Sequence, residues 1–437
     1  MILAAQRLPR VLAGRVPFFY GWIVLGCLCC AGFARQGPAV ATLSVFVEPL
    51  TREFGWSRTA LSGAVSLGGL LAAVGSPLLG PLLDRHGSRV VLCAAVLVTG
   101  ASMLLLSLTN SLLFFYALFC IARMNWAGPF DLGIYGAVSN WFVARRPFAT
   151  SVATVAQMVG LVAMPLLASL AMRGHGWRGG WLAIGGVTLL VGFVPSWLLL
   201  VRRPEDIGLV PDGTDGDGTR VGAAAVADAS FSRRQALRTS AFWLLLLYTA
   251  LVYPAQAGVS LHQAPHLIER GLSPTIAATV VSTFSAFSGL ASIACAVMPR
   301  ALPVRYPMAL VAGCLAAGSA AMIGVASAHG AFLAAALFGF GVGGILTLLP
   351  LAWADYFGRA NFGAIRGIAL SAQVMAQAVG PLLSGALHDW TGNYRLSLQV
   401  FAVLSLLAAA AALTARRPPV AQARPAVAAG DAAEASE

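Results

Sequence analysis

The sequence has no lysine: all 28 basic residues among its 437 are arginine. That absence rules out the Gly-Lys-Ser/Thr phosphate cradle of nucleotide hydrolases, and with it work driven directly by ATP. Exclusive use of arginine also suggests a GC-rich, bacterial genome. Acids are scarce, at 16 Asp and Glu, and only 10% of residues are charged against 58% hydrophobic, with a mean hydropathy of +0.80. A soluble fold of this length needs far more surface charge, so the class is a polytopic membrane protein. There is no Gly-x-Ser-x-Gly nucleophile turn, and no soluble domain to hold paired His or Cys metal ligands. An enzyme is not expected, nor a cofactor or metal.

The seven cysteines all lie in apolar stretches. Cys27-Leu28-Cys29-Cys30 has no His or acid near it, so small buried packing residues are expected, without disulfides. The net charge of +12 falls in short arginine clusters between apolar runs, a topology pattern and not a nucleic-acid-binding patch. Arg7, Arg10 and Arg15 precede an apolar stretch too long for a signal peptide and without a cleavage site, which is read as a retained first helix.

What is present is a series of twelve apolar segments, each near the ~20 residues that a bilayer demands. They span 18–46, 59–80, 89–109, 112–140, 148–172, 179–201, 241–263, 275–298, 307–327, 331–354, 366–387 and 396–415. The expected organisation is a cytoplasmic N-terminus (1–17), a six-helix bundle (18–201), a cytoplasmic linker (202–240), a second six-helix bundle (241–415) and a disordered cytoplasmic tail (416–437). The linker's middle is too polar and Gly-rich to pack, and Ser232–Ser240 reads as a short amphipathic helix. With the N-terminus inside, 20 arginines fall on inner segments, 6 on outer loops and two within the membrane, which predicts cytoplasmic termini. Trp141-Phe142-Val143-Ala144-Arg145 and Gly176-Trp177-Arg178 recur as Tyr356-Phe357-Gly358-Arg359 and Asn393-Tyr394-Arg395 at nearly one offset. That argues for a duplicated unit.

Intramembrane charge carries the functional reading. Arg35 stands in segment 1 beside Pro38, which has no N–H for the carbonyl of Ala34. Segment 4 carries Arg123, Asn125, Gly128 and Asp131, and an Arg35–Asp131 pair with Arg123 spare is the expected arrangement. Two arginines against one aspartate leave a net positive charge, which favours an anion as the missing partner. A purely structural ion pair between segments 1 and 4 fits the same residues. Tyr253, Gln256, Gln373 and Gln377 are candidate cavity hydrogen-bonding groups, or interhelix glue. Asp355 and Arg366 are read as helix-end loop residues.

Gly80-Pro81-Leu82-Leu83-Asp84-Arg85-His86-Gly87-Ser88-Arg89, between segments 2 and 3, resembles the signature G-x-x-x-D-R-x-G-R-[KR] of the major facilitator superfamily. Gly80, Asp84, Arg85, Gly87 and Arg89 match; Ser88 departs from the usual base. The resemblance implies a gating role for these five. The corresponding second-half loop, Met298–Arg305, has no acid, so a latch would rest on the first copy. Arg123 followed by Gly128 resembles the superfamily's helix-4 motif, whose arginine is often tied to proton coupling; Gln157, Gly160 and Pro165 loosely resemble its helix-5 motif.

Further strings are similar to the monocarboxylate and oxalate–formate antiporter-like branch: Phe19-Tyr20-Gly21-Trp22, Glu53-Phe54-Gly55-Trp56-Ser57-Arg58, and Arg203-Pro204-Glu205-Asp206-Ile207-Gly208-Leu209 with Pro211-Asp212-Gly213. That implies an all-α fold of twelve helices in two six-helix bundles, alternating access and small organic anions as substrates. Segment 8 lacks Asp and Arg and segment 11 lacks Lys, so the first half is expected to hold the anion. The resulting expectation is a monomeric secondary transporter of the bacterial inner membrane. It would move a small organic anion by proton symport or exchange, with Arg35, Arg123, Asp131, Tyr253, Gln256, Gln373 and Gln377 at the site. A proton-driven exporter of amphipathic or cationic compounds, and a non-transporting membrane sensor, are the alternatives.

Overall fold

The computed structural model describes residues 7–212, 231–298 and 302–418. The N-terminal residues 1–6, the glycine-rich middle of the linker, residues 299–301 of the second-half loop and most of the predicted tail lie outside the described residues.

The described residues are helical and strand-free. A short helix α1 (Arg7–Ala13) precedes α2 (Gly21–Ala34) and α3 (Val40–Phe54). Then come α4 (Arg58–His86), α5 (Ser88–Leu106), α6 (Leu112–Ala127), α7 (Pro129–Trp141) and α8 (Arg146–Val187), which runs through a π turn into α9 (Val194–Leu199). After the linker follow α10 (Arg233–Leu237), α11 (Ser240–Glu269), α12 (Pro274–Val297), α13 (Arg305–Ile323), α14 (Ala328–Phe357), α15 (Phe362–Thr391) and α16 (Arg395–Thr414). Among the described residues ten helical stretches are long and apolar enough to cross a membrane. One of them, Arg146–Leu199, is 54 residues long and is interrupted by non-helical backbone at His175 and Gly176, so it folds as two passes. The broken pair α2–α3 makes the remaining one, giving two bundles of six.

Local sequence explains the ends. Ser57, Ser111, Thr239, Ser273 and Ser327 each cap the helix that follows, accepting from the N–H three residues on. The predicted amphipathic stretch at 232–240 is only the five-residue α10, closed by a Ser232–Gln235 capping box. It ends early because Thr239 caps α11 instead.

The two bundles are joined at one end. There Asp84, at the end of α4, accepts from the N–H groups of Gly363 and Ala364 at 2.9 and 2.7 Å, in the first turn of α15. Arg146 pairs with Asp355 at 2.9 Å, and Arg359 pairs with Glu205 at 2.7 Å and donates to the Asn140 carbonyl. The backbones of α4 and α15 nearly touch: a Cβ on Gly80 would stand 2.1 Å from the Gly363 carbonyl oxygen, and one on Gly363 2.4 Å from that of Gly80. At the opposite end the ion pairs Arg178–Glu53 and His388–Glu269 each stay within one bundle.

The start of the linker is ordered. Asp212, 2% exposed and at φ +59°, accepts from the N–H groups of Val143, Ala144 and Arg145 at 2.7, 2.6 and 3.2 Å, just before α8. The acid missing from the second-half loop thus has a counterpart here: the helix start equivalent to that of α15 is met by a linker carboxylate.

Candidate functional site

Two helix breaks of the first bundle face each other. α2 ends at Arg35 because Pro38 cannot donate to the Ala34 carbonyl; Gly37 does so instead, in a tighter turn at 3.1 Å. α6 ends at Ala127 and α7 begins at Pro129, with Gly128 between them at φ −107°, ψ −84°. Asp131 therefore sits in the first turn of α7 and Arg35 at the C-terminal cap of α2. Each charge meets the helix end that favours it.

Arg35 is held from three sides. Its Nε donates to the Trp126 carbonyl at 2.8 Å, beside the α6–α7 break, and its Nη1 donates to the Gln157 amide oxygen at 2.6 Å. Nη1 also stands 3.7 Å from Asp131. Gln157 in turn donates to the Tyr135 hydroxyl at 3.2 Å, which lies 3.2 Å from the Thr154 hydroxyl.

The nearer partner of Asp131 comes from the second bundle. Arg366 donates through Nη2 and Nε to one Asp131 oxygen at 2.8 and 3.2 Å. It is no loop residue: it is 1% exposed and lies one turn inside α15, which starts at Phe362. The expected segment 366–387 starts at the arginine, whereas the apolar turn 362–365 before it already belongs to α15, with Asp84 accepting from its Gly363 and Ala364 N–H groups. The expectation that the first half alone supplies the cations is corrected accordingly. Arg35 and Arg366, one from each bundle, both stand against a single carboxylate, Asp131.

Arg123 plays a different part from Arg35. Its guanidinium lies over the Trp126 ring at 3.8 Å, and that of Arg35 over the same ring at 4.8 Å. Its Nε and Nη1 are buried without a hydrogen-bond partner among the described residues. It lies behind the cavity wall, with Trp126 forming the wall itself.

A cavity of about 270 Å³ opens above the Arg35–Asp131–Arg366 cluster. Arg35, Asp131, Tyr135, Gln157 and Arg366 form its charged end. Tyr253, Gln256 and Ser260 of α11 and Gln373 and Gln377 of α15 line it further along, with Gln377 donating to Gln256 at 3.4 Å. Six of the seven sequence-chosen site residues thus meet on one cavity; Arg123 does not. Tyr135 and Arg366 were missed. A signal for Arg366 was present: it lies seven residues before Gln373 and eleven before Gln377, which sets all three on one helix face.

Of the signature residues, Asp84 and Gly80 form the junction described above. Gly87, at φ +82°, makes the tight turn from α4 into α5, a conformation that L side chains rarely adopt. Arg89 donates to the Trp197 carbonyl within its own bundle, and Arg85 stays exposed.

An arrangement of two guanidinium groups on one carboxylate, at the end of a cavity, has room and charge for one more anion.

A family model described as "Major Facilitator Superfamily" matches residues 24–373 and, in a second match, 264–435. Monocarboxylate transporter 11 of Mus musculus is 27% identical over 395 residues, covering 87% of this chain and 84% of that protein. Monocarboxylate transporter 3 of Rattus norvegicus is 27% identical over 404 residues, covering 89% and 78%. Among solved structures, a bacterial homologue of the iron transporter ferroportin in an outward-facing state superposes with a TM-score of 0.68 at 17% identity. It covers 89% of this chain and 98% of that one. At that identity the likeness speaks for the fold.

Proposed function

The chain belongs to the major facilitator superfamily and is a secondary transporter in a membrane, and we propose that its cargo is a small organic anion held between Arg35 and Arg366. One observation carries this reading: Asp131 is the only carboxylate among the described residues that faces the cavity's guanidinium groups, and it cannot neutralise them all. Burying an uncompensated cation costs several kcal/mol, and an incoming carboxylate relieves that cost. The resemblance to monocarboxylate transporters favours the same class of cargo.

The arginine bias of the loops makes the Asp84 end cytoplasmic, in a bacterial inner membrane, with both termini on that side. The bundles are clamped at that end, so this conformation offers the cavity to the outside. A carboxylate arriving from there competes with Asp131 for Arg35 and Arg366. As Arg366 lets go, Asp131 becomes free to take a proton, which couples cargo to proton. The Asp131–Arg366 bridge joins the bundles, so loosening it also loosens the closed end, and Asp84 leaves the start of α15 as the bundles rock. The transporting unit is a monomer.

Uptake of radiolabelled mono- and dicarboxylates into proteoliposomes, with an inward proton gradient, tests this. At least one acid should accumulate, and Arg35→Gln should abolish that uptake while inserting normally. Undiminished uptake by Arg35→Gln removes Arg35 from the site. Flux of organic cations with none of the acids overturns the anion reading.

A further inference from the structure

We infer that the preferred cargo is not a two- or three-carbon acid but a longer carboxylate, with an apolar body and a hydrogen-bond donor at its far end. This rests on the anion reading above and specifies its substrate.

The first observation is a pair of orphaned polar atoms at opposite ends of one helix face. Arg366 Nη1 is buried without a hydrogen-bond partner among the described residues, although Nε and Nη2 of the same side chain are engaged by Asp131. Gln373 is 6% exposed, and its amide oxygen is likewise buried and unpartnered. Ser260 Oγ, across the cavity on α11, is a third such atom. Buried polar groups are seldom left unsatisfied, and a rotamer change in these cavity-lining residues would bring the orphaned atoms to a ligand's own groups. The donor orphan calls for an acceptor such as a carboxylate oxygen; the acceptor orphans call for a hydroxyl or N–H.

The second observation is their separation. Arg366 and Gln373 are seven residues apart on α15, about 10 Å along the axis at ~1.5 Å per residue, and within about 20° in rotation. A three-carbon acid, with two C–C bonds of about 1.5 Å, spans only a part of that length.

The third is the rest of the lining. Phe284 of α12, Val342 and Leu346 of α14 and Met158 and Leu161 of α8 line the same cavity. Such a wall favours an apolar body and gains nothing from a hydroxylated one. The volume of about 270 Å³ comes close to the ~300 Å³ at which pockets for drug-sized ligands begin, and a two- or three-carbon acid leaves it mostly empty.

The experiment is calorimetric binding to the purified full-length chain, with four probes: lactate, hydrocinnamate, its para-hydroxy derivative, and the primary amide of that derivative. Hydrocinnamate is expected to bind roughly tenfold tighter than lactate, and the para-hydroxy acid about fivefold tighter again. In Gln373→Leu that last advantage, the ratio of the two affinities, should vanish. Lactate binding as tightly as the aromatic acids overturns the inference and leaves the anion reading standing. If the neutral amide binds as well as the acid, or no acid binds, the anion reading fails and this inference with it. The wild-type series needs no variant, so it decides the length question even where Gln373→Leu does not fold.

Discussion

At the scale of the residue, the site turns on a carboxylate shared by two guanidinium groups from different bundles. Asp131 holds Arg366 closely and Arg35 loosely, at 2.8 and 3.7 Å. Removing one member of a buried pair strands the other, at a cost of about 3–5 kcal/mol. Arg366→Gln should therefore lower the Tm of the detergent-solubilised protein clearly, and Asp131→Asn in the same chain should recover part of the loss. Arg366→Lys should not restore the wild-type Tm, because a single ammonium cannot supply both Nε and Nη2 to one oxygen. Arg35 and Asp131 were legible in the sequence because a charge inside an apolar run is costly and must face protein or water. Arg366 was less legible, because an arginine close to a helix start also suits a cytoplasmic loop, and only its shared face with Gln373 and Gln377 marks it out. Arg123 was legible as a charge but not as a stack on Trp126, since a ring contact three residues along the same helix leaves no mark in composition.

At the scale of the element, the breaks and the close approaches set where those side chains stand. Pro38 and Gly128–Pro129 were visible in the sequence as breaks; that they face each other is a matter of packing. The α4–α15 approach allows no Cβ at Gly363. Gly363→Val should push the helices apart and populate a state open at the Asp84 end. Spin labels on His86→Cys and Arg416→Cys, both at that end, should then report a longer mean distance than in the otherwise unsubstituted chain. An unchanged distance would separate this contact from gating. Asp212 is a second device of the same kind. It satisfies three N–H groups from a residue held at positive φ, so Asp212→Ala should destabilise the protein by about 1–2 kcal/mol, read as a lower Tm. Asp212 was quoted in the sequence only as part of a family string, because a linker acid that caps a helix seventy residues earlier has no local signature.

At the scale of the whole molecule, twelve apolar segments, the repeat and the signature loop were enough to read two six-helix bundles. Physical chemistry left little choice there, since in lipid every backbone group must be satisfied within a helix. The side from which the cavity is reached was not legible, because it depends on which end of the bundles is clamped. The same clamp gives the central claim its test. If the cavity binds an anion because its guanidinium groups exceed their one carboxylate, then Asp131 is the cargo's competitor. The dissociation constant of the tightest-binding acid should be measured by calorimetry for the wild type and for Asp131→Asn. Binding tighter by about tenfold or more in Asp131→Asn is the predicted result; equal or weaker binding would contradict the account.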